Sequence, residues 1–128
     1  MTIFVRESLY YNLLLMHEIA MVEDVFRIIM GVAAENNISR IDRVNVVIGE
    51  YLQVKPSLFE FAFDAARPGT IASGATLTMD VRPLELRCNE CGQLFLLNQR
   101  KYECPFCGGT ELQIIDGKDM YIKSIEGE

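Results

Sequence analysis

Four cysteines in two Cys-x-x-Cys pairs constrain the fold of this chain more than any other feature. The pairs are Cys88/Cys91 and Cys104/Cys107, and twelve residues separate them. Pairs with this spacing can bring four thiolates to the corners of a tetrahedron, the arrangement that structural zinc prefers. We therefore predict a zinc site, with a rubredoxin-like iron site and disulfides as the alternatives.

The residues around the cysteines fit a pair of zinc knuckles. Gly92 follows the first pair, and Gly108 and Gly109 follow the second; glycine tolerates positive φ there and can turn amides toward the sulfurs. Pro105 helps to fix the second turn, and the apolar residues 94–97 suit a short strand. A four-thiolate sphere is closed to water, so the predicted zinc stabilises the fold without catalysing a reaction.

Composition and charge narrow the class of protein. The chain has 128 residues, half of them hydrophobic, which suits one domain with a real core. Its net charge of −6 and its lack of a basic cluster disfavour binding to nucleic acid or anionic lipid. No apolar run approaches the roughly 18 residues of a membrane helix, and Arg6 and Glu7 interrupt any signal peptide. We therefore expect that the protein works in the cytoplasm, a compartment in which disulfides are disfavoured.

Hydrophobic periodicity predicts two helices. The first ends near residues 36–37, and its apolar residues recur at three- and four-residue steps: Ile19, Val22, Phe26, Ile29 and Ala33. The second begins at a capping box, with Ser57 as the N-cap and Glu60 three residues later, and it stops at Pro68-Gly69.

Strand patterns fill the remainder of the chain. A β-branched run predicts a strand over 44–48, and alternation of apolar and polar residues predicts another over 77–81. Beyond the second cysteine pair, Leu112 and Ile114 alternate with polar residues and Asp116-Gly117 forms a turn signal. A last strand follows, with one face lined by Met120, Ile122 and Ser124.

These elements predict an α+β fold in which two helices pack on a small three-stranded sheet, with an inserted four-cysteine zinc-ribbon lobe. The last strand is expected beside the strand of residues 77–81, with a short hinge near Pro83. The predicted domains are a leader of residues 1–15, an α+β domain of residues 16–83 and 111–126, and a zinc-binding domain of residues 84–110.

Catalytic signatures are missing from the sequence. His17 is the only histidine and the cysteines are assigned to metal, so no nucleophilic triad or dyad can be built. The glycines match neither a P-loop nor a dinucleotide-binding pattern. We therefore expect that the protein is not an enzyme.

Several motifs together resemble the HypA/HybF family of hydrogenase nickel-incorporation proteins. They are Met16-His17-Glu18, the strand end VVIGE at 46–50, the run VKPSLFEFAFDAARPGTIASGATL at 54–77, and the two cysteine pairs. The resemblance covers about residues 16–126. It implies a metallochaperone that carries Ni(II) as cargo to the [NiFe]-hydrogenase large subunit, working with the GTPase HypB, and it leaves a homodimer and a urease role open.

The resemblance implies a nickel site at Met16, His17 and Glu18, which make up the α+β domain's amino-terminal end. In the family the site uses the imidazole, the terminal amine and nearby backbone nitrogens. Ni(II) favours tetragonal or square-planar nitrogen donors, and a histidine second from a free amine can close adjacent chelate rings through the intervening amide.

Fifteen residues precede Met16 in this chain, a departure from the family pattern. Either translation begins at Met16, which we favour, or the leader is present and the nickel site loses its amine. In the second case Leu9, Leu13, Met16 and Ala20 could prolong the first helix backward. A zinc-ribbon adaptor that holds proteins together without nickel stays the alternative function, because this module serves many roles.

Overall fold

The computed structural model describes residues 1–9, 18–97 and 102–128, and within them the fold is α+β, as predicted. A short 3-10 turn spans Glu50–Leu52. No helix in the described part of the chain is long and apolar enough to cross a membrane. The elements in chain order are β1 (Thr2–Leu9), α1 (Glu18–Glu35), β2 (Ile41–Gly49), α2 (Pro56–Ala66), β3 (Thr76–Arg82), β4 (Glu85–Cys88), β5 (Leu94–Leu96), β6 (Leu112–Asp116) and β7 (Met120–Gly127).

Four strands form the larger sheet, in the order β1-β7-β2-β3. The strands β2 and β3 are parallel and are joined through α2, whereas β7 is antiparallel to both β1 and β2. The helices contact each other through Phe26 and Phe63, whose ring centroids are 5.2 Å apart. Both helices share one hydrophobic core with the sheet, and its largest fully buried side chains include Met21, Ile29, Ile41, Ile48, Phe59, Phe63, Met120, Ile122 and Ile125.

The prediction of three strands, with the last one beside residues 77–81, was wrong. The last strand, β7, lies between β1 and β2, and β3 forms the opposite edge of the sheet. The physical reason is burial: β2 is a mostly buried β-branched run that suits a central strand, whereas β3 has no fully buried residue and ends in three exposed ones, which suits an edge.

The leader contributes a strand to this sheet. Thr2–Leu9 pairs antiparallel with β7, from Thr2 opposite Glu126 to Leu9 opposite Met120. The expectation that Leu9 could prolong α1 backward was therefore wrong, because the Leu9 backbone pairs with Met120 in the sheet. Leu13 and Met16, the next two positions of that expectation, lie outside the described residues.

The helix bodies follow the sequence pattern, but two details differ. Lys55 is the N-cap of α2, with a proline at the next position and no side-chain cap, so Ser57 and Glu60 form no capping box. A proline in the first turn already sets the required φ and removes one unpaired N–H, which makes a side-chain cap less necessary. Ile19 is 67% exposed and lies outside the buried face of α1.

A β-bulge changes which side of β7 faces the core. The register between β2 and β7 shifts between Asn45 and Val46, so that Ile125, and not Ser124, shares the core with Ile122. The Ser124 hydroxyl instead accepts a hydrogen bond from Asn45 Nδ2 at 2.8 Å. The predicted face of the last strand was thus wrong beyond Ile122, because a bulge breaks the two-residue period.

A second sheet, in the order β5-β4-β6, carries the cysteines; we call residues 85–116 the cysteine lobe. Since Leu112–Asp116 pairs with β4, a domain boundary near Gly117 fits the ladder better than one at residue 111. Two backbone hydrogen bonds join the turn after this lobe to the end of β2. They run from Gly49 N to Asp119 O at 2.8 Å and from Tyr51 N to Gly117 O at 3.0 Å.

Candidate metal centre

The four cysteine sulfurs converge in the cysteine lobe. Cys88 ends β4, Cys91 lies in the turn between β4 and β5, and Cys104 and Cys107 lie between β5 and β6. All four Sγ atoms lie within 4.8 Å of one another. Cys88 and Cys104 are buried, whereas Cys91 and Cys107 are exposed, so the cluster lies at the surface of the lobe with two sulfurs against its interior.

Each cysteine pair is folded into a knuckle by a glycine with positive φ. Gly92 has φ 78° and donates its N–H to the Cys88 carbonyl at 2.7 Å; Gly108 has φ 75° and donates to the Cys104 carbonyl at 2.8 Å. The predicted positive φ of these two glycines is confirmed, since the left-handed conformation is open to glycine at no steric cost, but their N–H groups donate to carbonyls where the prediction had them turned toward the sulfurs. Gly109 does not share this conformation, but its N–H points at Cys107 Sγ, 3.4 Å away.

The spacing of the sulfurs fits zinc. Cys88 Sγ lies 3.6 Å from Cys107 Sγ, and Cys91 Sγ lies 3.7 Å from Cys104 Sγ. Zinc–sulfur bonds of about 2.3 Å at tetrahedral angles place sulfurs about 3.8 Å apart. Four thiolates with this spacing would fill the coordination sphere of zinc and leave no position for water or substrate, which is the chemistry of a structural site.

Backbone N–H groups favour a negative charge on one of these sulfurs. Burial raises the pKa of the Cys104 thiol, but the N–H groups of Cys107 and Phe106 and the neighbouring thiols outweigh burial and lower this pKa to about 7. For Cys107 the Gly109 N–H lowers the pKa, yet the surrounding thiols and burial raise it to about 12. Because thiolates repel each other, a bound dication is needed to hold all four of them deprotonated at neutral pH.

Of the three residues predicted to bind nickel, only Glu18 lies within the described residues; Met16 and His17 lie outside them. Glu18 is the first residue of α1, and its Oε1 accepts a hydrogen bond from the backbone N–H of Lys55 at 3.3 Å. This contact ties the start of α1 to the start of α2. Sequence reasoning missed the partner, because Lys55 lies 37 positions further along the chain than Glu18 and no local pattern marks it.

The amino terminus of the chain lies far from Glu18. The Met1 ammonium donates to the Gly127 carbonyl at 2.9 Å, beside the residues that follow the end of α1. Glu18 stands at the other end of that helix, whose 18 residues span roughly 26 Å at about 1.5 Å per residue. The Met1 amine is therefore out of reach of the Glu18 side chain.

Comparisons with known proteins agree on one family. A family model described as "Hydrogenase/urease nickel incorporation, metallochaperone, hypA" matches residues 16–127. The hydrogenase maturation factor HypA of Aquifex aeolicus is 38% identical over 113 residues, which are 88% of this chain and 98% of that protein. The hydrogenase maturation factor HybF of Klebsiella pneumoniae is 35% identical over 88% of this chain and 100% of its own length.

Solved structures agree with the sequence matches. The solution structure of the Ni metallochaperone HypA from Helicobacter pylori superposes with a TM-score of 0.64 at 31% identity, covering 88% of this chain and 97% of that one. A second solution structure of a HypA protein gives a TM-score of 0.67 at 30% identity, with coverage of 88% and 96%. The resemblance found in the sequence motifs is confirmed, and the chain belongs to the HypA family of hydrogenase and urease nickel-incorporation metallochaperones.

Proposed function

We propose that this protein binds Ni(II) at Met16, His17 and Glu18 and delivers it for maturation of a [NiFe]-hydrogenase. The observation that carries the proposal is the family match, which begins at residue 16, so that the Met-His-Glu motif stands at the start of the matched region. In this proposal the protein is a carrier and not a catalyst. It works in the cytoplasm and passes nickel to the hydrogenase large subunit together with the GTPase HypB.

The donors proposed for nickel are the His17 imidazole and backbone nitrogens around it, which suit the tetragonal preference of Ni(II). Glu18 can add a carboxylate oxygen only by giving up the hydrogen bond from Lys55 N–H. The Met1 ammonium, which donates to the Gly127 carbonyl, is not among the proposed donors. A chain that begins at Met16 would add an amine to the same donor set, and we expect it to bind nickel more tightly.

The proposed zinc ion has a structural task. Bound by the four cysteines, it would hold the two knuckles together across a lobe in which Leu86, Cys88 and Cys104 are buried and the other described apolar side chains are half-buried or exposed. So small a core cannot stabilise the lobe alone, and ligand binding supplies folding free energy there. Nickel and zinc thus occupy separate sites in this proposal.

A nickel titration of zinc-loaded protein tests the proposal, in the full chain and in a chain beginning at Met16. We expect that His17→Ala abolishes nickel binding in both chains and leaves bound zinc unchanged. Glu18→Gln is compared with Glu35→Gln, which removes a charge at the opposite end of the same helix. The Glu35 variant should bind nickel as the parent does, because nothing in the proposal involves it.

Delivery needs its own measurement. Nickel-loaded protein is mixed with a nickel-free hydrogenase large-subunit precursor, and the nickel content of the precursor is determined after separation. We expect transfer from the parent protein and none from His17→Ala. Equal nickel binding by the parent and the His17 variant would contradict the nickel site and leave the zinc-ribbon adaptor as the remaining function; binding without transfer would contradict delivery alone.

A further inference from the structure

The strand β1 covers the whole free edge of β7. Its residues pair with β7 from Thr2 opposite Glu126 to Leu9 opposite Met120. Beyond the ladder, the Gly127 N–H donates to the Met1 carbonyl at 2.9 Å. Without β1, one side of an eight-residue strand would present unpaired N–H and C=O groups, and such an edge is a template for another strand.

This strand is peripheral to the core. Among the β1 residues whose side chains are described, 2–7, none is fully buried in the core; Ile3 and Val5 pack against the core and are partly buried. Phe4, on the opposite face of the same strand, is 64% exposed. The family match begins at residue 16, so β1 is also an addition to the matched region. The remaining elements therefore form their core without it.

The strand β1 is itself a poor template for a further strand. Its register shifts between Phe4 and Glu7, and within this bulge Arg6 adopts a left-handed φ of 53°. Bulges and charged residues on an edge strand hinder the addition of another chain. In this chain the β7 edge, at which another strand could pair, is thus covered by the β1 edge, at which pairing is hindered.

We propose that the β7 edge is a strand-addition site which β1 occupies in cis, and that displacement of β1 lets a second copy of this chain pair there, β7 against β7. The geometry favours a second copy because β1 runs antiparallel to β7, and a β7 related by a two-fold axis runs antiparallel as well. The partner strand also brings the apolar Ile122 and Ile125, which can cover the surface that Ile3 and Val5 leave open. No nickel or zinc ligand takes part, so the inference is independent of the proposed function.

Two aspartate variants at neighbouring positions of β1 test the proposal in the full chain. Ile3→Asp places a charge against the core and should displace β1, whereas Phe4→Asp places the same charge on the exposed face and should not. Light scattering over a range of concentrations should give the mass of one copy for the parent and for Phe4→Asp. It should give the mass of two copies for Ile3→Asp as the concentration rises.

Amide hydrogen exchange at low concentration, where the variant is a single copy, reports whether β1 has left its site. The Gly127 amide bonds to β1 and should lose protection in Ile3→Asp, whereas the Glu128 amide, which donates to Arg40 O at 3.0 Å, should keep it. A synthetic peptide of residues 1–9 should then restore both the protection and the single-copy mass, and a scrambled peptide should do neither.

Each other result would overturn the proposal. Unchanged protection of the Gly127 amide in Ile3→Asp would show that the Ile3 side chain does not hold β1 in place. Global unfolding of this variant would show that the core depends on β1. A displaced strand with a mass of one copy at all concentrations would rule out the second copy as occupant. Pairing in Phe4→Asp as well would trace the effect to charge and not to the opened edge.

Discussion

Replacing Gly49 by alanine tests whether the cysteine lobe and the larger sheet are held together by close backbone contact. Gly49 has φ −72° and ψ 135°, an extended conformation that alanine adopts freely, so the substitution adds no backbone strain. A Cβ at this position would, however, overlap the carbonyl group of Gly117 and lie 2.8 Å from Lys118 N. These are backbone atoms, which cannot rotate away as a flexible side chain would.

The expected cost follows from how the clash can be relieved. The turn before β7 must move away from β2, which stretches the hydrogen bonds from Gly49 N to Asp119 O and from Tyr51 N to Gly117 O. Losing two such bonds costs about 2 kcal/mol and the overpacking adds about 1–3 kcal/mol, so that the free energy of unfolding should fall by about 3–5 kcal/mol. This is a large part of the roughly 5–15 kcal/mol of a typical domain.

Urea unfolding of the zinc-loaded protein, followed by far-ultraviolet circular dichroism, measures this loss. At a slope of about 2 kcal/mol per molar urea, the midpoint should fall by about 2 M. Gly31→Ala is the matched control, since a Cβ there meets no atom within 4 Å and the residue lies inside α1. Alanine in a helix is more favourable than glycine by about 1 kcal/mol, so the control should be stabilised. A Gly49 variant within about 1 kcal/mol of the parent would refute the reasoning.

Three further predictions concern the core and the metal centre. Phe63→Ala should lower the free energy of unfolding by about 3–5 kcal/mol in the same urea assay, because the Phe63 side chain is fully buried. Phe61 lies on the same helix but is 74% exposed, so Phe61→Ala should change the free energy of unfolding by less than about 1 kcal/mol. Cys88→Ala should lose bound zinc, measured by atomic absorption, and lose amide protection in the cysteine lobe alone; one zinc per chain in this variant would contradict the assigned ligands. Zinc retained by the parent, measured by atomic absorption after dialysis at each pH, should fall as the pH drops through about 7, because protons then compete with the metal for the Cys104 thiolate, whose pKa in the folded lobe is lowered. A lowered pKa stabilises the fold above the unfolded value of about 8.5, and this contribution is lost as the pH falls through about 7.

Local patterns were sufficient for much of the fold. The periodicity of α1, the β-branched run of β2 and the turn at Gly117 all depend on neighbours within a few residues, and the structure has them where the sequence predicts them. The two cysteine knuckles are also local features. In each of them the glycine that closes the turn lies four residues after the first cysteine of the pair and directly after the second. Short-range spacing also carried the family resemblance that the comparisons confirmed.

Pairing between distant segments could not be predicted in the same way. The sequence marks Thr2–Leu9 by nothing stronger than a few β-branched residues, and its partner β7 lies more than a hundred residues further along the chain. The bulge that turns Ser124 away from the core depends on the register against β2, which no local pattern reports. The contact between Glu18 and the Lys55 amide likewise exists only because α1 packs against α2.

The sequence by itself thus determined the two helices, the strands β2, β3, β5, β6 and β7 and the cluster of four cysteines, since these depend on side-chain period, glycine conformation and cysteine spacing. Only the tertiary structure decided the order of the strands, the closure of the β7 edge by β1 and the distance between the Met1 amine and Glu18. The physical reason is that strand order and edge coverage are set by the burial and backbone pairing of the whole sheet. Residues that share such a sheet need not be neighbours in the chain.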